Sequence, residues 1–554
     1  MVAPERLVIV RKYRGNPWVV LLVLSLGFFM TLLDLTIVNI AIPDMLSRLH
    51  ASLDGILWVI NSYALVLAVL LITAGRLGDL RGQRTMFIVG VTVFTLASAA
   101  CGFSPTVGWL VGFRAVQGVG AALLMPQTLA ILTMVFPPER RGAAFGIWGA
   151  VAGVATIAGP TLGGLLVSAF DWRYIFFINV PIGILVITMG FVLIPDVRTG
   201  TQHRLDLPGV LLASLSLLAI CYGLVEGQKY NWGHITSFVS IPMVIAIGIA
   251  LLAIFLVVQA RTQDREPLVP FALFRDRNYS LMNWVAGAVS IGMMGIFLPF
   301  TIYLQSALGY SALKAGLTMA PASVVSMFVA PVAGRLTDRI GGKYILLVGL
   351  LFFAGGMGLT AAIATTQSSW QDFIPTLALA GLGMGCTFAP MTTTAMRSVQ
   401  PHTAGAASGM INTVRQVGAV IGTAAVGALL QNQMAATLPV AARAHASALP
   451  PQQRAGFIGR VTTAARSGSA VSPVQHSMKS APGTSSSYAA ELGHLWHEVF
   501  ASGYVTAMHT TMIMPIAVIA VAGISCLAIK KVSTPTRPAP ADATALAEAS
   551  QAPA

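Results

Sequence analysis

Apolar residues in this chain gather into runs of about 20, and polar residues are confined to the stretches between them. At 1.5 Å per residue a run of that length crosses the roughly 30 Å hydrocarbon layer of a bilayer as one helix. Fourteen spans are expected, near Trp18–Ile42, Gly55–Ala74, Met86–Phe103, Trp109–Phe136, Gly142–Phe170, Tyr174–Ile194, Pro208–Leu224, Phe238–Gln259, Leu281–Leu304, Ala315–Ala333, Tyr344–Ala364, Phe373–Met396, Ala404–Leu430 and Tyr504–Ile529. The pattern specifies an all-α polytopic membrane protein.

Two of the polar turns are nearly the same. Gly75-Arg76-Leu77-Gly78-Asp79-Leu80-Arg81-Gly82-Gln83-Arg84 and Gly334-Arg335-Leu336-Thr337-Asp338-Arg339-Ile340-Gly341-Gly342-Lys343 both read G-R-L-x-D-x-x-G-x-[R/K]. An Asp can pair with nearby Arg there, and glycine permits the reversal. A second match, of Pro138, Gly142, Ala143, Ala144 and Gly146 with Pro401, Gly405, Ala406, Ala407 and Gly409, repeats at almost the same offset. The chain is therefore a duplication, and parallel repeats of this kind build transporters around a central path. The offset exceeds one six-helix unit, so two further spans lie between the copies. The expected organisation is a basic N-terminus (1–17), a six-helix bundle (18–194), a linker with two extra spans (195–280), five spans of the second bundle (281–430), a long outer loop (431–503), the last span (504–529) and a disordered tail (530–554). The loop is rich in Ala, Ser, Thr, Pro and Gly, which predicts a largely flexible segment with a short amphipathic helix near Glu491–Phe500.

Charge fixes the expected orientation. Only 9% of residues are charged, against 56% hydrophobic, yet the net charge is +14. Lys and Arg collect in alternate short loops, while the opposite short loops hold only Arg48, Arg173, Lys229 and Lys314. Positive charge marks the cytoplasmic side, so both termini are expected in the cytoplasm of a cell whose inner membrane holds the protein. The basicity follows from this topology, and nucleic-acid binding is not expected. Cys101, Cys221, Cys386 and Cys526 lie in apolar runs without metal spacing, and His494-Leu495-Trp496-His497-Glu498 is not a zinc motif, so no metal or cofactor is expected.

An ionisable group inside a span costs roughly 2.5–3.5 kcal/mol on insertion scales and is usually kept for function. Three stand out: Asp34, Arg114 and Arg415. Asp34 lies roughly 12 Å, and Arg114 roughly 8 Å, below the outer ends of their helices, so the two can meet. A carboxylate beside an arginine in a cleft of low dielectric can exchange its proton for a change in pairing. Asp34 could also be a structural acceptor, and Arg114 could hold backbone carbonyls. Arg415 either lines a cavity and meets an anionic group or clamps the bundle. Gly159, Pro160, Gly163 and Gly164 form a tightly packed, deformable joint in the fifth span. Trp58, Asn61, Tyr63, Gln127, Phe297 and Tyr303, with Asn283, Met293 and Met294, could line an amphipathic cavity; Trp58 could equally be an interfacial anchor.

Taken in order, these motifs resemble those of the fourteen-span drug–proton antiporters of the major facilitator superfamily, and the resemblance covers nearly all of Trp18–Ile529. Leu33–Pro43 resembles the acidic motif of helix 1, Gly75–Arg84 the gating motif, Arg114–Gln117 with Gly118 and Gly120 the helix 4 motif, and Gly149–Gly164 the antiporter motif. Trp172–Gly183 resembles a segment of the fourteen-span branch. The resemblance implies a major facilitator fold of two six-helix bundles and export of small lipophilic compounds in exchange for protons, driven by the proton motive force. It implies that Asp34 and Arg114 take part in proton coupling. It also implies that Gly75, Arg76, Asp79, Arg81, Gly82 and Arg84, with Arg335, Asp338 and Arg339 in the second copy, form gates. Some relatives carry carboxylates in spans 10 and 13 that favour dications; this chain has none there, which predicts neutral or monocationic cargo. A monomeric carrier is expected. A dedicated exporter of one natural product, antibiotic or lipid is the alternative, a membrane-bound substrate sensor a remote one, and no nucleophile–base pair suggests an enzyme.

Overall fold

Polar caps and prolines start many of the helices where the apolar runs begin. Asn16 accepts the Trp18 amide at 3.0 Å and Asp206 the Gly209 amide at 2.9 Å, each with a proline in the first turn of its helix. Asp276 and Ser311 cap two more. The computed structural model describes residues 16–41, 44–45, 48–49, 53–196, 206–227, 230, 232–263, 268–400, 403–466 and 486–530. The expected N-terminal arm, the disordered tail and the centre of the long loop lie outside them.

The first half contains α1 (Pro17–Ile40), α2 (Leu53–Arg81), α3 (Gln83–Gly102), α4 (Val107–Val135), α5 (Arg141–Ala169) and α6 (Asn179–Leu193). The linker forms α7 (Leu207–Glu226) and α8 (Ile241–Arg261). The second half contains α9 (Arg277–Ile302), α10 (Ala312–Ile340), α11 (Gly342–Ile363), a broken pair α12 (Ile374–Gly385) and α13 (Phe388–Met396), α14 (Ala404–His445), α15 (Pro451–Arg466) and α16 (Ser486–Ser525). Among the described residues, 13 spans are long and apolar enough to cross a membrane; α5, of 29 residues, occupies the place of the remaining expected one.

Each half buries its own apolar core. The repeated turns use glycine where only glycine is comfortable: Gly82 at φ 93° and Gly341 at φ 87° reverse the chain from α2 into α3 and from α10 into α11. The halves meet along two crossings, α2 with α14 and α5 with α10, and the linker is not symmetric about them. Leu65, Val69 and Ile72 of α2 and Met410 and Val417 of α14 share a small core with Ala213 and Leu217 of α7, so the linker hairpin covers the α2–α14 seam.

The segment 431–503 departs from the expected flexible loop. The described parts are helical: α14 continues to His445, α15 follows, and α16 starts at Ser486, absorbing the short helix expected near Glu491–Phe500. These helices bury a shared core through Leu438, Ala442, Phe457, Val461, Leu495 and Val499, and Thr437 donates to the Gly503 carbonyl at 2.9 Å. Small alanines between those positions let the helices approach closely, so few large side chains suffice.

Glycine also sets the distance of the seams. A side chain on Gly405 would meet the Gly75 carbonyl oxygen at 2.5 Å, and one on Gly146 the Ala330 oxygen at 2.6 Å. Gly405→Val and Gly146→Val are therefore expected to destabilise the purified protein by about 1–3 kcal/mol. Gly164, with nothing within 4 Å, supplies the control: Gly164→Ala should leave the thermal unfolding midpoint in detergent unchanged.

Candidate functional site

α1, α4 and α6 converge on one carboxylate. Asp34, the sole acid of α1, and Arg114, seven residues into α4, are both fully enclosed, and the Arg114 Nη1 donates to Asp34 Oδ2. The other carboxylate oxygen accepts from Gln117 Nε2 at 2.9 Å and Asn179 Nδ2 at 3.4 Å. Arg114 reaches further: its Nε donates to the Val59 carbonyl of α2 at 3.0 Å, Nη1 also donates to Gln117 Oε1 at 2.9 Å, and the guanidinium sits 4.3 Å from the centre of the Tyr63 ring. A cation over an aromatic face, away from water, gains up to about 2 kcal/mol.

The sequence places Gln117 one turn after Arg114, on the same face of α4. Asn179 arrives differently. The segment Trp172–Gly183 turns back beneath the pair: Trp172 is buried, Ser98 of α3 donates to the Phe176 carbonyl at 2.9 Å, and Asn179 donates to Ser98 Oγ at 3.1 Å. Neither Asn179 nor the role of Tyr63 beneath Arg114 was deducible from spacing, because both depend on which helices become neighbours. The network is not saturated: Arg114 Nη2, the Tyr63 hydroxyl and Asn179 Oδ1 are buried without a hydrogen-bond partner.

The second constellation lies at the end of the bundle that carries the repeated turns. Asp79 of α2 accepts the Gly405 and Ala406 amides, both at 2.9 Å, at the first turn of α14. Asp338 of α10 accepts the Gly142 amide at 2.8 Å and the Ala143 amide at 3.1 Å at the first turn of α5. Each half thus supplies a carboxylate to the unpaired amides and positive dipole end of a helix from the other half. The two repeats found in the sequence are donor and acceptor of one contact made twice. The contacts are unequal: Asp79 is buried and also accepts from Gln83 at 3.2 Å, whereas Asp338 is half-buried.

Of the other candidates in these turns, Arg76 is buried near Asp79, Arg84 donates to the Phe191 carbonyl, and Arg81, Arg335 and Arg339 are exposed. Gly159 is buried against Thr36 of α1, and Gly163 is buried; the Pro160 side chain lies outside the described set. Several residues expected to line a cavity are enclosed. Tyr63 supports Arg114, Gln127 donates to the Ala74 carbonyl at 2.8 Å, and Tyr303 donates to the Thr365 carbonyl at 2.6 Å, so each is tied up within its own half. Trp58 stands 6.0 Å from Tyr222 of the linker, and Asn61 and Phe297 are half-buried. Arg415 lies against Phe388, 4.9 Å from its ring centre.

The family model of the Major Facilitator Superfamily matches residues 24–423. The chain belongs to this superfamily. This superfamily member is 40% identical over 77% of its length to an uncharacterized MFS-type transporter of Mycobacterium tuberculosis, of which it covers 73%. It is 36% identical to the multidrug resistance protein Stp of the same organism, over 76% of each chain. It is 35% identical to the tetracenomycin C resistance and export protein of Streptomyces glaucescens, over 77% of this chain and 78% of that one. In fold it resembles the proton:xylose symporter XylE, with a TM-score of 0.55 at 12% identity over 82% of this chain and 95% of that one. The major facilitator fold places the enclosed pair in the first half and the two carboxylate caps between the halves.

Removing Asp34 leaves a buried guanidinium without its counter-ion, which costs on the order of 3–5 kcal/mol. Asp34→Asn should therefore lower the unfolding midpoint, and the double variant Asp34→Asn/Arg114→Gln should recover part of the loss. A thermal double-mutant cycle measures the coupling; additive losses would show that the two side chains do not act as a unit.

Proposed function

We propose that this transporter exports lipophilic compounds from the cytoplasm in exchange for protons, with Asp34 as the proton carrier. The observation that carries the reading is the wholly enclosed Asp34–Arg114 pair. Protonation of Asp34 removes half of a buried ion pair, leaving Arg114 held by the Val59 carbonyl, Gln117 and the Tyr63 face. Because these partners sit on α2 and α4, a proton gained or lost at α1 changes the balance of packing within the first half. That is a means of coupling a proton to a conformational equilibrium, since the proton binds the two states unequally.

The Asp79 and Asp338 caps hold the halves together at one end. With the Lys- and Arg-rich loops, and both termini, on the cytoplasmic side, these caps close the path from the cytoplasm and leave it to open outward. Asp34 then takes a proton from outside as cargo leaves, and the caps separate when the carrier turns inward. No carboxylate stands in the α14 stretch Ala404–Leu430 or in the Ala315–Ala333 stretch of α10, which argues against dications. The resistance and export relatives support a lipophilic cargo, and the tetracenomycin exporter keeps a dedicated natural-product exporter as the second reading. At 100 mV each elementary charge moved contributes about 2.3 kcal/mol, so exchange of one proton for a neutral compound is electrogenic.

Energised, pump-deficient cells expressing this protein should extrude a lipophilic dye, and a protonophore should stop them. Asp34→Asn at equal expression is expected to reduce export at least about 100-fold, as loss of a group required in each cycle; normal pumping by that variant would place the coupling elsewhere. Asp79→Asn should slow export more than Asp338→Asn, because its acceptor is the more deeply buried of the two.

A further inference from the structure

The ion pair of the first half is closed on itself, but the second half carries a cation that is not. Arg415 lies eleven residues into α14, about 16 Å from its start and so near the middle of the hydrocarbon layer. Among the described residues it has no hydrogen bond and no ion pair; its one contact of note is the face of Phe388, at 4.9 Å. A guanidinium does not lose its proton in a protein, and a mid-membrane charge without a counter-ion is kept only where water or a ligand answers it.

Its neighbours show where it faces. Val414 and Gly418, on either side along α14, pack against Gly287 of α9. Ser408, two turns back on the face of Arg415, donates to the Pro126 carbonyl of α4 in the other half, at 2.9 Å. Phe388 begins α13 just after the helix is interrupted at Cys386 and Thr387, and a side chain on Gly149 of α5 would lie 3.8 Å from its Cβ. Arg415 and Phe388 therefore stand between the halves at mid-depth, and Arg415 is only half-buried there.

We infer that Arg415 and Phe388 form an anion-accepting subsite of the transport path, for an ionised acidic group, such as a carboxylate, phenolate or sulfonate, borne on an aromatic skeleton. The guanidinium supplies charge-assisted, fork-shaped hydrogen bonds, and the phenyl face stacks on the ring. The missing carboxylates predict neutral or monocationic cargo; the charge of Arg415 repels a cation at the same depth and adds an acidic group to what the path can accept. The subsite rests on the export reading for its place in a transport path, but its chemistry can be tested without transport.

The test is equilibrium binding to the purified full-length protein, read by fluorescence anisotropy, of two related xanthene dyes, anionic fluorescein and cationic rhodamine 123. Wild type should bind fluorescein the more tightly. Arg415→Gln should weaken fluorescein on the order of tenfold to a hundredfold while leaving rhodamine 123 unchanged or tighter, and Arg415→Lys should restore most of the anion affinity. Equal affinity of wild type for both dyes overturns the assignment without any variant, which covers the case in which Arg415→Gln does not fold. Fluorescein binding that is unchanged in a folded Arg415→Gln, or loss of both dyes together, overturns it as well and marks Arg415 as a bundle clamp. Intact anion binding with no efflux from energised cells would count against the export reading and leave the subsite standing.

Discussion

The constraint on which this architecture turns is the helix end that cannot satisfy itself. The first amides of α5 and α14 have no partner within their own helices, and each pair is answered by a carboxylate from the opposite half, Asp338 for α5 and Asp79 for α14. Glycines at the same crossings remove the side chains that would hold the backbones apart. A carrier must hold its halves firmly and also let them part. An interface made of small residues and two capped helix ends combines close backbone packing with a few directional bonds.

The enclosed pair of Asp34 and Arg114 applies the same electrostatics to a different end. Four helices meet at the pair: Asp34 of α1 accepts from Arg114 and Gln117 of α4 and from Asn179 of α6, and Arg114 donates to the Val59 carbonyl of α2. The rings of Tyr63 and Phe176 flank the Arg114 guanidinium at 4.3 and 5.8 Å, and its Nη2 is left without a hydrogen-bond partner. Arg415, by contrast, has no hydrogen bond or ion pair among the described residues, and the face of Phe388 is its one contact of note.

Much of this was legible in the chain. Span lengths and the repeated turns specify the helices and the duplication, and matching depths in the chain place Asp34 and Arg114 within reach of each other. What could not be read was adjacency between halves: the likeness of Gly142 and Gly405 was visible, but not that each lies under the other copy's aspartate. Asn179 was hidden for the same reason. The helical extension 431–466 was missed because its few large side chains suggested a loop, although Leu430, Met434 and Leu438, then Phe457, Val461 and Ala465, recur at helical spacing.

That extension has a mechanical consequence. Beyond Leu430, α14 runs on without a break for 15 residues, about 22 Å, and it is joined by α15 and the start of α16, all belonging to the second half. The projection is packed onto the second half through Leu438, Ala442, Leu495 and Val499. Were the second half to rotate against the first, every part of it would turn through the same angle, but the tip of the projection would be displaced further than its base. A load placed on that tip would be felt at the seams between the halves as torque.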